Sequence, residues 1–344
     1  MSAPLVTVSG LSKSFPVRRG PFSRTTRALK AVDGVSFDIG RGETLGLVGE
    51  SGCGKSTLAR CVARLAEPTG GSIRFDGIEI ATLGARALRP MRRKIQLVFQ
   101  DPMASLNPRK RVGTILRDAL RIQGLARGHE AARIADLLEQ VGLSPAYARR
   151  LPRELSGGQR QRIGIARALA LEPELIVADE PVSALDVSVQ AQILNLLKDL
   201  QEQLGLTMLF ISHDLGVIRQ VSDRVGVMYL GKLVEIASAD PFYEGPFHPY
   251  SRALLDAVPS AAARGHAGAA LEGDMPSPLE PPDGCRFHTR CPIARDICTS
   301  VEPPLVEHAD GRWAACHFAG PPGNPDGHPF PQALPPPTRS QGGD

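Results

Sequence analysis

Eight consecutive residues constrain this chain more than any others. Gly49-Glu50-Ser51-Gly52-Cys53-Gly54-Lys55-Ser56 fits G-x-x-x-x-G-K-[ST]. The run ETLGLVG (43–49) leading into it is continuously apolar, as a strand buried on both faces must be, and STLARCVARL after it reads as a helix. Strand, glycine turn and helix together form the context in which such a loop cradles phosphate. The glycines let successive backbone N–H groups aim at phosphate oxygens, and the helix N-terminus adds partial positive charge. Lys55 is placed to reach the β and γ phosphates, and the Ser56 hydroxyl to ligate Mg²⁺. Gly49, Ser51, Gly52, Cys53, Gly54, Lys55, Ser56 and Thr57 are therefore the expected phosphate-loop contacts of a nucleotide, with Cys53 chemically inert. A Gly-rich turn matching by chance would lack the flanking strand and helix.

ELIVADE (174–180) supplies acids to match. Asp179, at the end of a second buried run, is placed to hold Mg²⁺ through water, and Glu180 to accept a proton from an attacking water. Either acid alone could cap a helix; after a buried strand and beside a phosphate loop, the catalytic reading prevails. TMLFIS (207–212) is a third such strand, and up to about residue 238 short apolar runs alternate with amphipathic stretches, the pattern of an α/β domain with parallel strands. HEAARIADLLEQVGL sets Ile134, Leu137, Leu138 and Val141 on one helix face, within a mostly helical insert over about 102–165.

At 344 residues, and roughly 100–200 residues per domain, about two domains are expected. Forty basic residues against 36 acidic leave a charge of +4, too small for an electrostatic grip on nucleic acid. No apolar run approaches the roughly 18 residues of a membrane span. The opening MSAPLVTVSGLSKSF lacks a secretory signal's basic and apolar blocks, which predicts a cytosolic chain. Four of the six cysteines (Cys285, Cys291, Cys298 and Cys316) fall in the last 60 residues, where proline also thickens. The tail over 320–344 is too poor in apolar residues to fold alone and is expected to be disordered.

Phosphate loops serve many families, so the discriminating text lies elsewhere. Leu155-Ser156-Gly157-Gly158-Gln159, followed by RQRIGIARALA, resembles the signature motif of ABC-type ATPases. Physically it is a second phosphate reader, a serine and two glycine amides opening a helix. Gln100, ending KIQLVFQ, resembles that family's Q-loop; Ser183-Ala184-Leu185-Asp186 its D-loop; Ile211-Ser212-His213-Asp214 its H-loop. The resemblance implies a phosphate-loop NTPase of ABC type over 5–238, with Glu180, His213 and Gln100 catalytic and Ser56, Gln100 and Asp179 around Mg²⁺. Ser156, Gly157, Gly158 and Gln159 would bind ATP of a partner subunit, with Asp186 in the D-loop. Phe15 is the expected adenine-stacking aromatic, although PVRRGPFSRTTRALK sets it farther upstream than usual.

Three stretches resemble the peptide-importer branch of that family: QDPMASLNPRKRVGTIL (100–116), PFHPYSRALL (246–255) and GCRFHTRCPIARDIC…ACHF (284–318). With them the resemblance spans about residues 5–318, and SLNPRKRVG is closer to the F-type subunit than to the D-type. A small, irregular, cysteine-bearing extension over 239–319 is then expected. Spacings Cys-x5-Cys-x6-Cys-x17-Cys fit neither zinc ribbons nor ferredoxin runs, and disulfides are improbable in a reducing compartment. Four thiolates suit zinc or iron–sulfur, and spacing does not choose between them. The family resemblance implies a structural [4Fe–4S] cluster, with zinc the alternative; His288 and His317 are read as surface residues rather than ligands.

The implied machine is an ATP-hydrolysing subunit of a dipeptide or oligopeptide importer. It would sit peripherally on the cytoplasmic face of the inner membrane, docked on two transmembrane permease subunits served by an extracytoplasmic solute-binding protein. One phosphate loop and one signature require a second ATPase subunit, expected as a heterodimer, and no nucleic acid is expected. The alternatives are the same machine for nickel, glutathione or sugar, and a soluble ABC ATPase of translation or DNA repair. The latter usually carries two ATPase halves or a coiled-coil insert.

Overall fold

The computed structural model describes residues 3–18, 26–101, 106–122, 124–125, 128–258, 273–308 and 311–320. The tail beyond Gly320, much of the PVRRGPFSRTTRALK stretch and part of the segment after Gln100 lie outside them.

The strands are, in chain order, β1 (Val6–Arg18), β2 (Thr26–Ile39), β3 (Thr44–Val48), β4 (Gly70–Phe75), β5 (Ile78–Glu79), β6 (Ile95–Val98), β7 (Leu175–Asp179), β8 (Thr207–Ile211), β9 (Arg224–Tyr229), β10 (Lys232–Ser238), β11 (Val306–Glu307) and β12 (Trp313–Ala314). The first helices are α1 (Lys55–Val62), α2 (Ala85–Lys94), α3 (Val112–Ile122), α4 (Glu130–Gln140) and α5 (Gly157–Leu169). They are followed by α6 (Val187–Leu204), α7 (Leu215–Val221), α8 (Ala239–Glu244), α9 (Pro249–Asp256) and α10 (Asp296–Ser300). No helix among the described residues is long and apolar enough to cross a membrane.

The central sheet runs β11-β12-β10-β9-β3-β8-β7-β6, and neighbours from β9 to β6 are parallel. β3, β7 and β8 are buried at every position, which explains why the sequence offers continuous apolar runs there instead of alternation. Because these strands are parallel, their carboxyl ends open on one edge. The edge therefore collects the loop after β3, Gln100 after β6, the acids ending β7 and His213 after β8, as open α/β sheets do at their ligand crevices.

A second, antiparallel sheet in the order β2-β1-β4-β5 packs its apolar side, including Val8, Val35 and Ile73, with Leu45, Leu47 and Leu58. In the other core cluster lies the helical segment, where Ile134, Leu137, Leu138 and Val141 are all buried.

Residues after 238 join this same framework. β12 pairs antiparallel with β10, Glu235 opposite Ala314, and β11 pairs with β12. Phe287 enters the main core against Tyr229 and Tyr250, with ring centroids 5.4 and 5.3 Å away. The PFHPY turn is fixed by a buried acid: Glu235 accepts the Phe247 and His248 amides at 2.7 and 2.9 Å. His248 Nδ1 then caps α9 by accepting the Tyr250 amide at 3.1 Å. A carboxylate and an imidazole taken out of water are tolerable only because backbone groups satisfy them.

Candidate active site

The loop that opens α1 needs its glycines for contact reasons. Gly54 caps α1 at φ 110°, and a Cβ there would overlap the Ala31 carbonyl oxygen. At Gly49, φ 156°, a Cβ would overlap the Met228 carbonyl oxygen. The loop is thus pressed against β2 and β9, with no room for a side chain between backbones.

Lys55 is buried and curls onto the loop, donating to the Gly49 and Glu50 carbonyls at 2.6 and 3.0 Å. Cys53 is 1% exposed, and burial pushes its thiol pKa up, so it stays a protonated, unreactive thiol. Ser56 Oγ donates to Asp179 Oδ1 at 2.8 Å. Burial raises the Asp179 pKa, an effect the Ser56 hydrogen bond partly offsets. A hydroxyl and a carboxylate side by side form an all-oxygen donor pair suited to a hard divalent cation such as Mg²⁺.

Glu180 gathers the remaining acid–base groups. Gln100 Nε2 donates to its Oε2 at 3.2 Å, and His213 Nδ1 lies 3.4 Å from the same oxygen. Glu180 itself sits at φ 48°, in the left-handed region that bulky residues avoid. Its amide donates to the Ile211 carbonyl at 3.0 Å, and the Ser183 hydroxyl donates to its carbonyl at 3.1 Å. Backbone neighbours on both sides therefore hold it in that turn.

The signature residues form their own unit. Ser156 caps α5 in a reciprocal box: the Gln159 amide donates to Ser156 Oγ at 3.3 Å, and the Ser156 amide donates to Gln159 Oε1 at 3.1 Å. Gly157 approaches Leu185, and Gly158 approaches Val189 too closely for a side chain. Helix α5 is thus packed on the segment carrying Asp186, which is exposed at the start of α6. Thr57 follows within α1, and Phe15 is 39% exposed on β1 beneath the Lys13 ammonium, 5.0 Å from its ring centroid.

Cys285, Cys291, Cys298 and Cys316 are all free thiols, and neighbouring cysteine sulfurs help raise the pKa of Cys285, Cys291 and Cys316. Burial is the larger cause, pushing Cys291 to about 11 and Cys316 to about 12. Backbone N–H groups oppose it, from Phe287 and His288 at Cys285, Ile293 at Cys291 and Phe318 at Cys316. Among the described residues no set of three or more His, Cys, Asp or Glu side chains stands at metal-holding distance. His317, expected at the surface, is buried, its Nε2 2.9 Å from the Val301 carbonyl.

Sequence reasoning missed the residues that brace the loop from behind. Tyr250 and Arg290 both reach Glu50, and the only textual hints are the PFHPY run and an arginine next to a cysteine.

A phosphate loop, a hydrogen-bonded Ser–Asp pair beside it and a Gln–Glu–His group on the same sheet edge have the form of a nucleoside triphosphatase site. Known proteins place it further. Residues 32–183 match the family described as ABC transporter, and residues 234–298 match the oligopeptide/dipeptide transporter C-terminal region. The oligopeptide transport ATP-binding protein AppF of Bacillus subtilis is 52% identical over 91% of this chain and 97% of its own length. A putative peptide import ATP-binding protein of Brucella ovis, BOV_A0347, is 55% identical over the same shares. Among solved structures, the dimeric ATP-binding cassette MJ0796 in a post-hydrolysis state with ADP and Pi superposes at TM-score 0.60, with 31% identity over 68% of this chain and 98% of that one. The cbiO1 protein of Clostridium perfringens, part of the cbiONQ transporter complex, gives TM-score 0.61 with 27% identity over 70% and 91%. The chain belongs to the ABC transporter ATP-binding family, in the group that carries the oligopeptide/dipeptide transporter C-terminal region. It is an ABC-type ATPase.

Proposed function

We propose that this chain is the ATP-hydrolysing subunit that powers import of oligopeptides or dipeptides, acting at the cytoplasmic face of the inner membrane against two permease subunits. The observation that carries the reading is the union of two features in one folded unit. A full Ser56–Asp179 and Gln100–Glu180–His213 arrangement shares its sheet and core with the oligopeptide/dipeptide transporter C-terminal region. Relatives named for peptide import match both parts together, over 91% of the chain.

In this mechanism the loop amides of Gly49 to Ser56, with Thr57, hold the phosphates, and Lys55 leaves its carbonyl partners for the β and γ oxygens. Phe15 stacks on adenine. Ser56, Asp179 and Gln100 would hold Mg²⁺, which would supply neutralisation of phosphate charge. Glu180 accepts the proton of the attacking water, and Gln100 and His213 fix its carboxylate, with His213 also meeting the γ-phosphate. Ser156, Gly157, Gly158 and Gln159 bind the nucleotide of a second ATPase subunit, and Asp186 lies at that interface, so closure on ATP does work on the permeases. An extracytoplasmic binding protein would deliver the solute.

The four cysteines are proposed to hold a structural [4Fe–4S] cluster, or zinc in its place. What supports that chemistry is the donor type, four free thiols in one segment with the Phe318 amide donating to Cys316 Sγ at 3.4 Å. As placed, no three of them stand at metal-holding distance among the described residues, so holding the group requires the sulfurs to draw together.

The test is transport. The chain, reconstituted in vesicles with its permease subunits, a second ATPase subunit and a solute-binding protein, should drive accumulation of labelled peptides only with ATP. Uptake of nickel or glutathione in place of peptides would move the solute assignment, and ATP hydrolysis unaffected by the permeases would remove the transport role.

A further inference from the structure

The phosphate loop is held from behind by groups that the hydrolytic chemistry does not use. Arg290 grips the Glu50 carboxylate in a two-bond fork, Nη1 to Oε2 at 2.7 Å and Nη2 to Oε1 at 3.0 Å. Its side chain is only 5% exposed. The Glu50 amide donates to Tyr250 Oη at 2.9 Å, so side chain and backbone of the loop's second residue are both tied to the C-terminal region.

The brace extends one layer further. The Gly231 amide donates to the Cys53 carbonyl at 2.8 Å, which presses the β9–β10 turn against the loop. Arg286 donates to the Leu230 carbonyl in that turn and to the Asp33 carboxylate. Arg286 and Arg290 both lie between Cys285 and Cys291, with Phe287 between them packed on Tyr229 and Tyr250.

An acid in a loop built to receive polyphosphate is a liability. Left free, the Glu50 carboxylate would repel the incoming anion and compete for the loop amides. Paired in a fork with a largely buried guanidinium, it is neutralised and drawn away.

We infer that Arg290, together with Tyr250, is a positioning residue of the nucleotide site, holding Glu50 off the phosphate path and tying the loop's curvature to the cysteine-bearing segment. This role rests on the nucleotide-site reading above.

The test is a set of binding titrations of the full chain with a fluorescent ATP analogue and Mg²⁺. Arg290→Ala should weaken binding about tenfold, and adding Glu50→Gln should recover it to within about threefold. A purely structural arginine would show no such rescue. Arg290→Lys, which keeps charge but not the fork, should fall between, and serves if the alanine variant does not fold. Tyr250→Phe should weaken binding by a smaller factor. Native affinity in Arg290→Ala, or a loss that Glu50→Gln does not relieve, overturns the role. Lys55→Ala separates the two readings. If it alone loses binding, the site stands and the positioning role falls; if it binds normally, both fall.

Discussion

Ser56 Oγ and Asp179 Oδ1 stand 2.8 Å apart, joining the start of α1 to the end of β7 across 123 positions of sequence. If Asp179 holds Mg²⁺ as proposed, it does so at some expense to stability, because burial raises its pKa. A carboxyl whose folded pKa is raised stabilises below its unfolded pKa, and that contribution is lost as pH rises through the folded value. At neutral pH the empty protein therefore carries an unfavourable anion. Asp179→Asn should raise the melting temperature of the nucleotide-free chain while removing the Mg²⁺ dependence of ATP binding. Paired melts and titrations with and without Mg²⁺ check both signs.

Glu180 carries the oxygen that Gln100 and His213 share. Glu180→Gln keeps the shape and removes the proton acceptor of the proposed mechanism. ATP binding should stay within about twofold, while steady-state hydrolysis falls by about 100-fold or more. Hydrolysis at the native rate in the reconstituted transporter would assign the proton to another group.

The buried His248 links the HPY turn to pH. Burial lowers its pKa to about 3, so it stays neutral when folded but protonates in the unfolded chain near the ordinary value of about 6.5. Its contribution to stability is complete above that ordinary value and is lost as pH falls toward the folded value. Between about pH 7.5 and 5.5 the loss should be about 1 kcal/mol. Denaturant unfolding at the two pH values, compared with His248→Gln, should show that much less acid sensitivity in the variant.

The cysteine segment makes a chemical prediction. Anaerobically purified protein should be brown, with broad absorbance near ~400 nm and about four iron and four sulfide per chain. Cys285→Ser or Cys316→Ser should bleach it. A colourless protein with one tightly held zinc would replace the cluster by the metal. Chelation of either should lower the melting temperature, since Phe287 and both arginines depend on this segment's fold.

The geometry of the phosphate loop was legible in the chain for a definite reason. The loop is local: Gly49 to Ser56 are consecutive, and backbone sterics at Gly49 and Gly54 require those residue types wherever the loop is built. The placement of Asp179, Glu180 and His213 at one sheet edge was also readable, because strands buried on both faces announce themselves and these residues stand where those strands stop. The HPY turn was visible as text but not as mechanics. Glu235 fixes it from β10, 12 positions before the Phe247 amide it accepts, and the local sequence KLVEIAS does not mark that acid as buried.

The sequence by itself determined the elements and the chemistry at their ends, since buried-strand patterning and glycine sterics act over a few residues. Only the tertiary structure decided that Arg290 meets Glu50 across 240 positions, and that β12, the last strand among the described residues, closes onto β10. Those contacts depend on which surfaces are left to be covered once the parallel sheet has formed, a property of the packed whole that no local spacing encodes.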